Sequence, residues 1–386
     1  MKRRDFVKGA AFAAAGAGAL ALGACGKKEE EAAAIVPATP EVPVAVNVAK
    51  NIRELKMVTT WPKNFPGLGT GAQRLADAIT SMSDGTLTVK LYAAGELVPA
   101  MESFAAVSGG NADMYHGAEY YWQGKHKAFN FFTAVPFGLT ASEMDAWLNF
   151  GGGQKLWDEL ASGFNLKCFA AGNTGVQMGG WFNKEIKTVD DYKGLKIRMP
   201  GLGGEVLRQI GASAVTLPGS EIFPSLQSGA IDATEWVGPW NDLASGFYKI
   251  TKYYYYPGFH EPGSTLSCGM NKGVWESLSP DHQAIVSNAC QAENNRMHSE
   301  FNAKNGGALD TLINKHNVDL RRQSDDILRA IGAASDDVLS SVGSGDDISK
   351  RIYANFMGFR KTAMGWTSLS ETAYTAARAL DLKLGR

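Results

Sequence analysis

The sequence predicts an α/β fold with two domains, each a mostly parallel sheet flanked by helices, and a helical C-terminal region. Three observations predict it: hydrophobic patterns in a β-α-β-α-β order after residue 53, a weaker copy of that order after residue 166, and helical periodicity beyond residue 270. The roughly 330 residues after residue 53 also exceed what one core usually organises. We therefore expect a first α/β domain at 54–172, a second at 173–265, and a helical region at 266–386 that completes both.

The first β-α series opens with a β-rich stretch, LKMVTTW at 55–61. The next segment, AQRLADAITSMSDG, spaces its apolar residues as one face of a helix does and ends at Gly85; that face comprises Leu75, Ala78, Ile79 and Met82. TLTVKLY at 86–92 alternates as a strand does. A helix at about 99–108 and a short strand ending near His116 complete the predicted series.

The second series repeats the order, with predicted helices at about 203–211 and 219–228. Its other segments read KCFAAGN, VQMGGWFN, LKIRMPG, SAVTLP and IDATEW. Both series share a phrase, because GGNADMYHGAE at 109–119 and SGAIDATEWVG at 228–238 each place a glycine three positions before an aspartate. The matching positions favour two similar domains that face each other.

The C-terminal region is predicted to be helical. Ser279 is suited to cap one helix, and Pro280 to occupy its first position. The long amphipathic stretches of this region could close the two-domain body or dock on another subunit, and periodicity alone leaves both open.

The N-terminus carries export signals rather than part of the fold. Arg3 and Arg4, followed by Phe6 and a weakly apolar stretch, resemble a twin-arginine signal at 1–25. Leu22 to Cys25 resembles a lipobox, which predicts acylation of Cys25, and an Ala/Pro/Glu-rich tether follows at 26–53. No later stretch has about 18 uninterrupted apolar residues. We expect a periplasmic domain that a lipid holds at a membrane.

Composition excludes some classes of function. A formal net charge of -1 gives no electrostatic footprint for nucleic acid. Once Cys25 is set aside, three cysteines remain, so at most one disulfide can form within the chain, and its presence is open: Cys168, Cys268 and Cys290. G-x-S-x-G, P-loop, H-E-x-x-H and C-x-x-C motifs are absent. The six histidines lack metal-ligand spacing and are interpreted as surface or packing residues.

Polar residues near the predicted strand ends are the candidates for binding. In open α/β sheets ligands lie beyond the carboxyl ends of strands, and here those ends carry Gln177, Arg198, Glu235 with Trp236, and Glu261. Arg198 needs an anionic partner, which is either a ligand carboxylate or a protein acid. Glu235 and Glu261 fit three interpretations: surface residues, the acid and base of a hydrolase, or ligands of a hard cation.

Four stretches resemble the substrate-binding subunits of tripartite ATP-independent periplasmic (TRAP) transporters: TTWP, LYAAGELVPAMESFAAVSGGNADM, TVDDYKGLKIRMPG and LPGSEIFPSLQSGAIDATEW. The resemblance extends from about residue 54 to 370 and is greatest to the branch that binds 2-oxo acids and lactate. It implies a two-domain periplasmic binding protein fold, a receptor rather than an enzyme, and delivery of an organic acid to membrane permease subunits. Some relatives pair through a terminal helix, so a homodimer is a further expectation.

The resemblance also implies roles for individual residues. Arg198 would bind the ligand carboxylate, while Tyr121 and Asn173 would add ligand contacts. A sodium or calcium ion bridging ligand and protein would be held by Gln177, Glu235, the carbonyl of Trp236, and Glu261. Two carboxylates, a ligand carboxylate and one arginine leave about two net negative charges, which a cation would offset.

Two other hypotheses stay open. The receptor could bind another organic acid without a metal, such as a dicarboxylate, a sugar acid or an aromatic acid. An exported hydrolase could instead use Glu235 and Glu261 as its acid and base.

Overall fold

Two mixed sheets form the centre of the computed structural model, which describes residues 51–381. The first sheet has the order β2-β1-β3-β10-β4, with strands β1 (Arg53–Thr59), β2 (Leu87–Tyr92), β3 (Met114–Gly117), β4 (Leu166–Asn173) and β10 (Thr265–Asn271). The second has the order β11-β9-β5-β8-β6-β7, with strands β5 (Gly180–Phe182), β6 (Lys196–Arg198), β7 (Ser213–Val215), β8 (Ala233–Thr234), β9 (Tyr253–Tyr256) and β11 (Asp319–Arg322).

Helices flank both sheets. Those before the C-terminal region are α1 (Leu68–Met82), α2 (Ser103–Ser108), α3 (Ala141–Phe150), α4 (Gly153–Ser162), α5 (Gly201–Gln209), α6 (Gly219–Gln227) and α7 (Pro239–Ser245). The C-terminal region adds α8 (Lys272–Glu276), α9 (Pro280–Asn314), α10 (Asp325–Gly343), α11 (Asp347–Leu369) and α12 (Glu371–Arg378). The Ser279 hydroxyl accepts a hydrogen bond from the His282 N–H at 3.2 Å, so the predicted start of α9 is confirmed.

The predicted fold class is confirmed, and the structure adds the directions of the strands. β1 is parallel to β2 and β3, whereas β10 runs antiparallel to β3 and β4. In the second sheet β5 is antiparallel to both β8 and β9, while the other pairs are parallel. Each sheet is therefore mixed. Its antiparallel strand, β10 in the first sheet and β5 in the second, is the one that the chain enters directly from the other sheet.

The shared glycine and aspartate phrases have the same structural role in both sheets. The Asp113 N–H donates to the Lys56 carbonyl at 3.0 Å, and its carboxylate accepts from the Lys56 N–H at 2.7 Å. The Asp232 N–H and carboxylate bond Lys196 in the same way, at 2.7 and 3.1 Å. Each aspartate thus bonds both backbone groups of a lysine in the neighbouring strand, β1 or β6, just before its own strand begins.

The chain crosses between the sheets in two short segments, 174–179 from β4 to β5 and 257–264 from β9 to β10. Helix α9 packs against β4, α1 and α7, so elements associated with both sheets contact it. Candidate residues Gln177 and Glu261 lie on the crossing segments, whereas Arg198 and Glu235 lie at strand ends of the second sheet. The crossings therefore bring residues of distant sequence to one place.

The described residues lie within one compact unit. No helix among them has both the length and the apolar character needed to cross a membrane. The predicted signal at 1–25, Cys25 and nearly all of the tether lie outside the described residues, and the boundaries 54–172, 173–265 and 266–386 stay predictions. Cys168, Cys268 and Cys290 are buried and unpaired in the structure.

Candidate functional site

A buried ion pair between Arg198 and Glu235 forms the centre of the candidate site. An Nη1 proton of Arg198, at the end of β6, is donated to Oε1 of Glu235, which directly follows β8. Both side chains are almost fully excluded from solvent, with 1% and 0% of their surface exposed. Of the two partners expected for Arg198, the structure provides the protein acid, as burial of a charge requires.

The rest of the Arg198 guanidinium is held by three further contacts. Nε donates to the Leu217 carbonyl at 3.1 Å, Nη1 also donates to the Glu235 carbonyl at 3.2 Å, and Nη2 donates to the Tyr121 hydroxyl at 3.3 Å. The guanidinium carbon lies 5.2 Å from the Trp236 ring centre, within the range of a cation–π contact. One Nη2 proton takes part in no hydrogen bond with the described residues.

Gln177 and Glu261 form a second polar pair beside the first. The Gln177 amide nitrogen donates to Glu261 Oε2 at 2.8 Å and to the Thr174 hydroxyl at 3.1 Å. The Gln177 amide oxygen is buried and has no hydrogen-bond partner within residues 51–381. An acceptor left alone in the interior is costly, and a bound cation would satisfy it.

Electrostatics at the site favour the neutral form of Glu261. Burial, reinforced by the Glu235 charge, raises the pKa of Glu261 to about 7. Burial alone would lower the pKa of His260, but its hydrogen bond with Glu235 and the nearby carboxylates raise it above the ordinary value. A charged Glu261 is thus costly at this depth unless a cation lies beside it.

His260 corrects the interpretation of the histidines. Its Nε2 lies 3.1 Å from Glu235 Oε2, and its side chain is 1% exposed, so it belongs to the site. Ligand atoms of Glu235, His260 and Glu261 lie within 4.8 Å of one another. Adjacency to Glu261 was the available sequence signal, but histidine spacing along the chain does not reveal a partner 25 positions away.

The remaining candidates divide into two groups. Tyr121 and Trp236 contact the Arg198 guanidinium directly. Asn173 instead stabilises the crossing, because its amide nitrogen donates to the Thr265 hydroxyl at 3.1 Å and its oxygen accepts from the Gly175 N–H at 2.9 Å.

A small cavity beside Gln177 has a volume of about 10 Å³, enough for about one water molecule. Trp61, from the segment after β1, lies 6.3 Å from the Trp236 ring and 6.2 Å from the Tyr121 ring, measured between ring centres. The cavity is lined by Trp61, Leu68, Tyr120, Tyr121, Thr174, Gln177, Trp236, Val237, Ser264 and Leu266. Aromatic rings that follow strands of both sheets, Trp61 after β1 and Trp236 after β8, therefore line the cavity beside Gln177.

A larger cavity of about 350 Å³ lies elsewhere, between α3, α4, β4 and α9. Amide side chains and Asp145 line it, and no arginine or lysine does. Without a cationic side chain it is a poorer candidate for binding an acid, despite its size.

The oxygen donors of Gln177, Glu235 and Glu261 fit a hard cation. Carboxylates, an amide oxygen and backbone carbonyls are the ligands that sodium and calcium accept, and softer metals favour sulfur or imidazole. Such donors are provided by Glu235, Glu261 and the Gln177 oxygen, which has no hydrogen-bond partner among the described residues. The predicted metal ligands are therefore chemically suited to the ion that the resemblance implies.

Two mixed sheets flanked by helices, with a buried cluster of an arginine, acids and an amide where the chain passes between them, define the class: a periplasmic solute-binding protein. The chain belongs to the bacterial extracellular solute-binding protein family 7, whose model matches residues 57–344. This family comprises periplasmic solute receptors, and the predicted TRAP substrate-binding subunit and its fold are confirmed.

Three proteins are similar to this chain over most of its length. A monocarboxylate 2-oxoacid-binding periplasmic protein of Nostoc sp. is 41% identical over 319 residues, which cover 83% of this chain and 87% of the relative. A TRAP solute-binding protein of Pseudoalteromonas atlantica, solved with sodium and pyruvate, has a TM-score of 0.82 and 39% identity over 84% of this chain and 99% of its own. A TRAP transporter solute-binding protein of Bordetella bronchiseptica, solved as a dimer with calcium and picolinate, has a TM-score of 0.83 and 34% identity. The match covers 85% of this chain and 98% of that chain.

Proposed function

We propose that this TRAP receptor binds a 2-oxo or 2-hydroxy monocarboxylate, such as pyruvate or lactate, together with a sodium or calcium ion. It would then deliver the acid to the membrane permease subunits. The proposal rests on one observation: the buried guanidinium of Arg198 lies beside a cluster of oxygens that includes Gln177 Oε1, an amide oxygen without a hydrogen-bond partner in the described part of the chain.

Arg198 and Tyr121 would bind the ligand carboxylate. The free Nη2 proton of Arg198 and the Tyr121 hydroxyl lie side by side, and together they offer two donors to a carboxylate. Glu235 keeps the guanidinium oriented from the other side through Nη1. This arrangement supports a single carboxylate as the anionic group of the ligand.

Gln177, Glu235, the Trp236 carbonyl and Glu261 would hold the cation. A bound ion would offset the repulsion between the two acids and the ligand, and would favour an acid that offers a second donor atom next to its carboxylate. The relatives with sodium and pyruvate and with calcium and picolinate each hold an acid of this kind, since picolinate carries a ring nitrogen beside its carboxylate.

The other hypotheses have less support. A dicarboxylate would bring a second negative charge to the site. The guanidinium of Arg198 is already shared with Glu235 and is therefore poorly placed to balance two ligand charges. A hydrolase would need free acid and base groups, but both oxygens of Glu235 contact cationic or basic side chains. We therefore propose binding without catalysis.

A thermal-shift screen of the metal-stripped protein tests the ligand and the cation together. Pyruvate, lactate, longer 2-oxo acids, picolinate and dicarboxylates are each combined with sodium, calcium or a chelator. We expect stabilisation by a 2-oxo or 2-hydroxy acid when a cation is present. Stabilisation by another acid that is indifferent to the chelator would reject the metal bridge.

Substitution of Arg198 tests its role in binding. Arg198→Lys keeps a cation opposite Glu235, so folding is preserved, but it loses the planar fork. We expect calorimetry to show a loss of about 1.5–3 kcal/mol in acid affinity, because the ammonium keeps the charge but loses a directed hydrogen bond of the guanidinium to the ligand carboxylate. Arg208→Ala, which removes a hydrogen bond to the Ala214 carbonyl outside the site, is the control. Unchanged affinity in Arg198→Lys would reject the assignment.

Two finer features belong to the same proposal. Twin-arginine export and acylation of Cys25 would tether the receptor, and mass spectrometry of the mature N-terminus would detect or exclude the lipid.

A homodimer is supported by the exposed apolar end of α11 and α12, where Trp366 and Leu369 are 70% and 78% exposed, and by the Bordetella dimer. We expect light scattering to give the mass of a dimer for the wild type and of a monomer for the double variant Trp366→Ser, Leu369→Ser. The same mass for both proteins would reject this surface as the dimer interface.

A further inference from the structure

His260 is a buried imidazole to which the expected set of metal ligands, Gln177, Glu235, Trp236 and Glu261, gives no role. It lies on the crossing at 257–264, next to Glu261, and its Nε2 contacts Glu235 Oε2 at 3.1 Å. Its side chain is 1% exposed. A polar ring at this depth needs a reason, because its desolvation is compensated by few contacts.

Packing holds the His260 ring in one place. A Cβ at Gly203 of α5 would lie 2.7 Å from the His260 Cβ, so the helix backbone approaches the histidine directly. The Phe259 ring stands edge-on to the imidazole at 5.4 Å between ring centres. A side chain confined in this way gives its hydrogen bond a fixed direction.

The two oxygens of Glu235 have different partners as a result. Oε1 accepts from Arg198 and Oε2 contacts His260. Each carboxylate oxygen has two lone pairs, so each can accept one bond and still offer an electron pair to a cation. With donors on both oxygens the carboxylate plane is fixed; with Arg198 alone it could turn about the remaining contact.

We infer that His260 is a positioning residue for the cation site: it donates Nε2–H to Glu235 and so sets the direction in which that carboxylate faces Glu261 and Gln177. The inference rests on the proposed function, since it presupposes a cation at these oxygens. It adds that cation affinity depends on a residue whose Nε2 does not itself bind the ion, because a nitrogen that donates its proton to Glu235 has no lone pair to offer. Such outer partners of metal ligands change metal affinity by about 10–100-fold when removed.

Three substitutions separate the hydrogen bond from the volume of the side chain. In His260→Gln the amide nitrogen stands the same number of bonds from Cβ as the histidine Nε2, so it can still donate to Glu235. In His260→Asn the nitrogen stands one bond closer to Cβ and falls short. His260→Leu fills the space without any donor.

Calcium is titrated into the metal-stripped protein and its variants by calorimetry, first alone and then with pyruvate. We expect His260→Leu and His260→Asn to weaken calcium binding by about 10–100-fold, and His260→Gln to recover most of that loss. Rescue by glutamine is the informative outcome, because a purely structural role would not distinguish glutamine from asparagine by donor reach. Calcium affinity unchanged in His260→Leu, or glutamine as weak as leucine, would overturn the inference.

Gly203→Ala provides a second route if the His260 variants fail to fold. It keeps the histidine but displaces it, since the added methyl would meet the His260 Cβ. We expect calcium affinity to fall while circular dichroism shows the folded protein. Normal calcium affinity in a folded Gly203→Ala protein would count against the inference.

The same titrations separate this inference from the proposed function. If wild-type protein binds pyruvate but no calcium or sodium, the receptor stands, and both the cation and the role of His260 are rejected. If it binds calcium in a His260-dependent manner but none of the acids tested, the role of His260 stands and the proposed ligand class is rejected.

Discussion

Glu119 gives a prediction about stability whose sign and size follow from its burial. It lies in the short helical turn at 119–122, just after β3, and is completely buried. Burial raises its pKa to about 7, although the Tyr115 hydroxyl, which donates to Oε1 at 2.7 Å, opposes the shift. The carboxyl group therefore keeps its proton in the folded protein at pH values where an exposed glutamate has lost it.

The linkage of this proton to folding predicts a loss of stability as pH rises. The unfolded chain releases the proton near pH 4.5 and the folded protein near pH 7, so stability is fully present below 4.5 and is lost between these values. At about 1.4 kcal/mol for each pKa unit, the difference amounts to about 3 kcal/mol. Glu119→Gln is uncharged throughout and should lack this contribution to the pH dependence.

Urea unfolding at pH 5, 6, 7 and 8, followed by tryptophan fluorescence and circular dichroism, measures the effect. The free energy of unfolding of wild type should fall relative to Glu119→Gln by about 2–3 kcal/mol across this range. Tyr115→Phe removes the opposing donor and should move the decline to higher pH. Parallel pH profiles for wild type and Glu119→Gln would refute the argument that this carboxyl group is protonated by burial.

Two further predictions concern packing and the thiols. Gly219→Ala should weaken pyruvate binding and destabilise the fold by about 1–3 kcal/mol, because the new Cβ would lie 2.4 Å from the rigid Trp236 ring. The control is Gly306→Ala, which has open space at its Cβ. Equal behaviour of the two variants in calorimetry and urea unfolding would contradict the predicted clash. Cys168, Cys268 and Cys290 should resist alkylation in the folded protein and all three react after unfolding without reductant, because they are buried and unpaired; a mass that shows two of them protected after unfolding would reveal a disulfide.

Local patterns made most of the fold predictable. The helix expected at 203–211 is observed at Gly201–Gln209, and the strand expected at 86–92 at Leu87–Tyr92, because amphipathic spacing is a property of adjacent residues. Helix α1 begins four residues before its predicted start, at Leu68, because its first turn is glycine-rich and gives little periodic signal. The antiparallel insertion of β10 between β3 and β4 could not be predicted, since it depends on where a distant strand returns.

The membership of the site was easier to predict than its internal pairing. Strand ends and a family resemblance were enough to select Arg198, Glu235 and Glu261, which the structure brings together. The sequence left open whether Arg198 meets a ligand or a protein acid, because that depends on how the ends of β6 and β8 align across the sheet. His260 was missed for the same physical reason: its partner is close in space and 25 positions away in sequence.

The Arg198 and Glu235 pair also bears on how the receptor achieves affinity. Taking two charges out of water is expensive, and in this protein folding already meets that cost for both side chains. A ligand carboxylate bound as proposed, at the remaining Nη2 proton, would thus meet a guanidinium that is already desolvated and held by Leu217, Glu235 and Tyr121. Less ordering is then required when the acid binds, so a small ligand with few contacts can still bind tightly. The same arrangement makes Glu235 indispensable to Arg198, and for that reason removing the acid should weaken ligand binding even where cation binding is not measured.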